Sequence, residues 1–264
     1  PVVLGYYFSS DGHNTRIGAL PAPVFARDAQ ANGQPVFRSN PPWTGYGSNI
    51  EPLTQAATSA GFFNALTDPD GLVRTAPLLA EYEGAVYQSL ALATFRQAVG
   101  GQQLLLHHTS IGALDALIVA DAQGQVLAQL NTNDQAAAFV PFRGEGGPRA
   151  PVFRYVSAAS VLAGELAAGE LKGKIVLIGS TAPGMQDVRA TPVSGSFPGV
   201  EVHANLLSAM LDSKLPLKPD YARGYEMLLL LLVGCLLILV PSRISVLSAV
   251  LLHAAVPVAA FAFD

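Results

Sequence analysis

The sequence predicts a mixed α/β domain, its sheet partly parallel and partly antiparallel, followed by two C-terminal transmembrane helices. Three observations carry this. Strand-like and helix-like runs alternate in the later part of residues 1–220, while hairpin-like strands fill the middle. The run KIVLIG at residues 174–179 has a fully apolar centre, as in a parallel strand covered on both faces. Two uncharged apolar stretches then close the chain, MLLLLLVGCLLILV at residues 227–240 and a second at 244–263.

Residues 2–8 (VVLGYYF) read as a buried strand, and residues 9–23 as a loop rich in turn formers. Residues 40–49 (NPPWTGYGSN) cannot hold a helix, because two prolines and two glycines interrupt them. Asn49 is placed to cap a short helix over 51–59, and Gly61 leads into Phe62 and Phe63. Asp68-Pro69-Asp70-Gly71 is a turn, with a strand expected over 72–82 and a helix over 86–99. Short strands follow at 104–106, 116–119 and 126–130, the last two joined by a turn at 121–124. Another is expected at 139–142, ending in Arg143-Gly144-Glu145-Gly146-Gly147. Ser157 caps an expected helix over 158–166, residues 174–179 form the parallel strand, and Pro198-Gly199 opens a helix over 200–211.

Only 13% of residues are charged, with a net charge of −4 and no basic stripe, which excludes a nucleic-acid partner. The single cysteine, Cys235, lies in the first apolar stretch, so residues 1–220 hold no disulfide. That suits a cytoplasmic or a disulfide-poor periplasmic setting equally. No signal peptide opens the chain, and Asp264 follows directly on an apolar run, so a fragment cut at both ends is expected.

A membrane helix needs ~20 mostly apolar residues. Spans are expected at 225–241, where flanking residues must be borrowed, and at 244–264; the other reading is a buried hairpin of core helices. Arg243 in the intervening turn places that turn in the cytoplasm and the folded domain outside, while Lys214, Lys218 and Arg223 argue the reverse.

The strongest local pattern is LKGKIVLIGSTAPG at 171–184, where a buried strand ends in small residues. Open α/β sheets bind ligands at that edge, so Ser180 and Thr181 are candidate hydrogen-bond donors; an ordinary strand-to-loop turn is the plainer reading. No Gly-Lys-Ser/Thr follows, which excludes a P-loop. Asp187, Arg189, Glu201, His203 and Asn205 come next. Glu201 and Asn205, four apart, share a helix face, and the group could bind a metal or a polar ligand, but the spacing fits no zinc or calcium pattern, and Asp187 could equally pair with Arg189 or cap a loop. A Ser180–His203–Asp187 hydrolase relay lacks a Gly-x-Ser-x-Gly elbow. Asp68-x-Asp70-Gly71 resembles the start of a calcium loop, but Leu79 stands where its glutamate belongs. Arg74 is expected to pair with one of these aspartates, and the glycine-rich loop at Arg143 exposes amides that suit an anion or serve as a plain connection. His13, His107 and His108 form no usable arrangement, and His253 sits in the second apolar stretch, where helix packing accounts for it.

In order along the chain stand GFFN (61–64), DPDGLVRTAPL (68–78), YQSLALA (87–93), FRG (142–144), LKGKIVLIGS (171–180), Asp187, Thr191-Pro192 and PGVEVHAN (198–205), with apolar stretches after them. This ordered set resembles the CHASE2 family of extracytoplasmic sensory domains. It covers most of residues 1–215, although the family's usual N-terminal span and initial α/β portion are not seen. The resemblance implies a sensor and no catalytic residues or cofactor. It implies an input module of a bacterial inner-membrane receptor, working as a homodimer. The output would be a cyclic-nucleotide cyclase, or else a histidine kinase, diguanylate cyclase or serine/threonine kinase. A membrane-tethered hydrolase and a non-sensing scaffold are the alternatives.

Overall fold

The computed structural model describes residues 1–10, 12, 14–25, 42–109, 112–150, 152–180, 187–217, 222–240, 243 and 245–263. Thr181 and His13 lie outside them, as do Pro241, Ser242 and Ile244 of the turn between the apolar stretches. Two compact units are present, Pro1–Leu217 and Lys218–Asp264.

The first unit opens with β1 (Val3–Ser9), β2 (Arg16–Ile17), β3 (Gly45–Gly47), α1 (Glu51–Ala56) and β4 (Ser59–Phe62). These strands form a sheet of order β2-β3-β1-β4, in which β1 runs parallel to β4 and antiparallel to β3. It is the expected mixed sheet. Its core is aromatic: Phe8 packs against Trp43, Phe62, Tyr82 and Tyr87 with ring centroids 5.4 to 5.9 Å apart. Asn49 does not cap α1. Ile50 occupies the cap, and the Asn49 amide donates to the Gly5 carbonyl at 3.0 Å, fastening β1 instead.

The expected strand over 72–82 is two strands, β5 (Thr75–Pro77) and β6 (Leu79–Tyr82). The chain changes partners at Leu78, whose N–H donates to Ala136, so β5 pairs with β11 (Ala137–Phe139) while β6 pairs with β7 (Ala85–Gln88). β11 therefore lies two residues before the expected 139–142 start. The expected helix over 86–99 begins later for the same kind of reason. Residues 85–88 pair as β7, and α2 (Leu90–Val99) starts at Ser89, whose hydroxyl accepts from Leu92 N–H. Gly100 ends it at φ 74, a left-handed position that glycine occupies without strain.

β8 (Gln103–His108), β9 (Leu114–Ala120) and β10 (Val126–Asn131) form the expected antiparallel meander. The Asp121 carboxylate accepts from the Gln123 and Gln125 amides, which shapes the tight turn. α3 (Ala158–Leu162) is capped by Ser157 as expected but stops short of 166. β12 (Val188–Thr191) and β13 (Ser194–Pro198) form a hairpin that leads into α4 (Gly199–Leu211). α2, β8–β10 and α4 enclose the larger core, with Leu92, Phe95, Leu117, Val119, Phe197 and Leu206 at its centre.

One expected strand does not form. Residues 174–179 run without strand pairing among the described residues, and Ile178 is 94% exposed. An apolar run becomes a strand only where a neighbouring edge takes its backbone groups, and among the described residues none pairs with it.

The second unit consists of α5 (Ala222–Leu239) and α6 (Val246–Phe263). Among the described residues, no helix is long and apolar enough to cross a membrane. Each helix has 18 residues, a length of about 27 Å at ~1.5 Å per residue, against a hydrocarbon core of ~30 Å. The expected spans are therefore not supported by the helices as they stand.

Candidate functional site

α4 begins where Pro198 holds an extended backbone and cannot continue a helix backwards. Its first two turns carry three polar side chains, yet all three are buried: Glu201 is 3% exposed, His203 6% and Asn205 1%. Buried polar groups must be partnered, and most of these are. The Glu201 carboxylate accepts the Gly147 amide, at 3.2 Å to each oxygen. Gly147 reaches it from φ 105, so the loop after Arg143 is used as an amide donor, but toward the protein's own carboxylate. The Asn205 carboxamide accepts from the Arg143 backbone N–H at 3.1 Å and donates to the Glu201 carbonyl at 2.8 Å. These two side chains thus pin the 143–147 loop onto α4. Tyr155 lies near Glu201, and burial together with that carboxylate pushes its phenol pKa upward.

His203 Nε2 lies 3.1 Å from the Phe63 carbonyl, which can only accept, so Nε2 carries the proton. Nδ1 is buried with no partner among the described residues. Burial holds the imidazole's pKa below its ordinary value. The Phe63 bond and Asp187 oppose that shift, and Arg189 reinforces it. Asp187 guards the start of α4: its carbonyl accepts the Gly199 N–H at 2.9 Å, and its carboxylate sits where a Gly199 side chain would be. With Nε2 engaged by Phe63, no Ser180–His203–Asp187 relay is assembled. Ser180 ends the unpaired segment, and Gly179 beside it abuts Val200 so closely that an added Cβ would lie 2.6 Å from Val200 Cβ. Among the described residues no cluster of His, Cys, Asp and Glu could hold a metal ion.

Arg74 does pair with the aspartates of its turn, at 2.8 Å to Asp68 and 2.7 Å to Asp70. The guanidinium holds the Asp70 carboxyl at about 2. Arg143 pairs through its side chain with Asp212. Both arginines therefore brace the fold.

Beside the start of α4 lies an open cleft of about 970 Å³. Its walls come from the end of β1, residue 43, the segment after β4, β5, β11 and β12. Tyr7, Phe63 and Phe139 line it and are 43%, 40% and 36% exposed as residues, and Trp43 lies alongside, stacked on Phe8 at 5.9 Å. Of the site residues expected from sequence, Arg189 alone lines this cleft. The sequence reading missed the aromatic residues as a site. Its one available signal was Phe63, which follows Phe62 at the end of a strand and so cannot face the same way.

The chain belongs to the CHASE2 domain family, whose family model matches residues 7–239. This is a family of extracytoplasmic sensory domains, not of catalysts. No curated protein and no solved structure matches the chain.

Proposed function

We propose that this CHASE2 domain is the ligand-sensing input module of a bacterial transmembrane receptor, and that the aromatic cleft takes the signal. The observation that carries the reading is the cleft itself. Three aromatic residues, each at least about one-third exposed, line one concave surface, the kind of lining that small-molecule sites have.

A route to the output follows from the geometry. Phe63 lines the cleft with its ring and accepts from His203 with its carbonyl, so the wall of the cleft is bonded to α4. At the other end, the Asn131 amide donates to the Leu215 carbonyl at 3.2 Å, beyond the last turn of α4. A ligand that binds two arrangements of Phe63 unequally shifts their populations and with them the position of α4.

The receptor is held at the inner membrane, with the sensor outside. Met227, Leu230, Ile238 and Val246 are each more than two-thirds exposed, and lipid is the solvent that suits such a surface. The output is a cyclic-nucleotide cyclase, and the working form is a homodimer.

The test uses the full chain in lipid nanodiscs. Trp43 is the only tryptophan, so its emission reports on the cleft directly. A metabolite library is screened for a saturable change in that emission together with a rise in melting temperature. A hit whose effect is lost in Phe139→Ala supports the reading. A library with no saturable hit refutes it and favours the non-sensing scaffold.

A further inference from the structure

The cleft also specifies what kind of molecule it takes, an inference that rests on the sensing role given above. We propose that its ligand is a small organic anion with a planar apolar body, its anionic group on Arg189 and its body between Phe63 and Phe139.

The charge comes from elimination among the lining groups. Asp68 is the acidic residue of the lining, and it is bonded at 2.8 Å to Arg74, which Asp70 shares at 2.7 Å. Arg189 is the cation of the lining, and among the described residues no carboxylate pairs with it. Arg189 is therefore the lining cation whose donors no described carboxylate occupies.

Two carboxamides of the lining are held by the fold. Both ends of the Asn64 carboxamide are engaged by Phe8, its oxygen accepting from Phe8 N–H and its amide donating to Phe8 O, each at 2.8 Å. The Asn133 oxygen accepts the Gln135 and Ala137 amides at 3.0 and 2.9 Å. The charged donor of the lining is the planar Arg189 guanidinium, which matches a carboxylate with two parallel hydrogen bonds. The part-exposed aromatic side chains of Tyr7, Phe63 and Phe139 suit a flat apolar body.

The experiment titrates three isosteres, benzoate, benzamide and benzamidine, against the full chain in nanodiscs, by calorimetry and by Trp43 emission. Benzoate is expected to bind about tenfold more tightly than benzamide, and benzamidine most weakly. Arg189→Gln is expected to bring benzoate down to the benzamide level while leaving benzamide unchanged. Raising the salt concentration is expected to weaken benzoate alone. Equal binding of benzoate and benzamide, or a benzoate preference that survives Arg189→Gln, overturns the proposal while leaving the cleft as a sensor. Silence of all three probes overturns it as well, and the unrestricted screen then decides the sensing role by itself. If Arg189→Gln does not fold, the isostere order and the salt dependence of the unaltered chain decide.

Discussion

His203 makes folding stability depend on pH in a direction that can be worked out in advance. The native ring is buried and neutral, its Nε2–H bonded to Phe63 and its Nδ1 without an acceptor among the described residues. Protonation would place an N–H and a full charge where nothing receives them. Burial is the main reason the native pKa is lowered. In the unfolded chain the ring takes up its proton near the ordinary value of ~6.5. A group with a lowered native pKa favours the unfolded state as acid is added, so stability is full above about pH 6.5 and falls below it. The loss is about 1 kcal/mol per pH unit until the native ring itself protonates. The perturbation is His203→Gln, which keeps a donor for the Phe63 carbonyl but does not titrate. Urea unfolding followed by Trp43 emission at pH 7.5, 6.5 and 5.5 measures the difference. Between the highest and lowest pH, the unaltered chain should lose about 1 kcal/mol more than the variant. Effects of the other histidines cancel in that difference. Parallel pH dependences, or a larger acid loss in the variant, would refute the assignment of a buried neutral imidazole.

Three further outcomes test the packing. Phe8→Ala removes the ring around which Trp43, Phe62, Tyr82 and Tyr87 pack, and should cost about 3–5 kcal/mol in urea unfolding. Gly61→Ala places a Cβ 2.5 Å from the Leu90 nitrogen, a backbone atom that cannot turn aside, and should lower stability by about 1–3 kcal/mol; an unchanged midpoint would contradict the close approach of β4 to α2. Glu201→Ala strands the buried Gly147 amide and should cost about 1–3 kcal/mol. Glu201→Gln keeps an acceptor oxygen and should lose clearly less, so equal losses would show that Glu201 does not hold the 143–147 loop.

The chain by itself determined the features that depend on neighbours in sequence. β1 and the β8–β10 meander follow from apolar runs and turn residues, and α4 from the Pro-Gly start and its apolar face. Ser157 caps its helix as expected, because a hydroxyl next to a helix start reaches its own backbone whatever the rest of the fold does; Ser89 does the same from inside the helix expected over 86–99. The family was legible for a related reason, since ordered short motifs survive independently of how the strands pair. Only the tertiary structure decided the pairings. It split residues 72–82 at Leu78, because β11 takes one half and β7 the other. It left residues 174–179 unpaired, because an apolar run states a preference for burial but does not supply the neighbouring edge. It turned Glu201, Asn205 and the Arg143 backbone from candidate ligand groups into a brace. It also built the cleft from segments as far apart as Tyr7 and Arg189. Local propensity acts over a few residues through hydrogen bonds and side-chain periodicity. A concave surface is made by long-range packing, and no short window of sequence contains it.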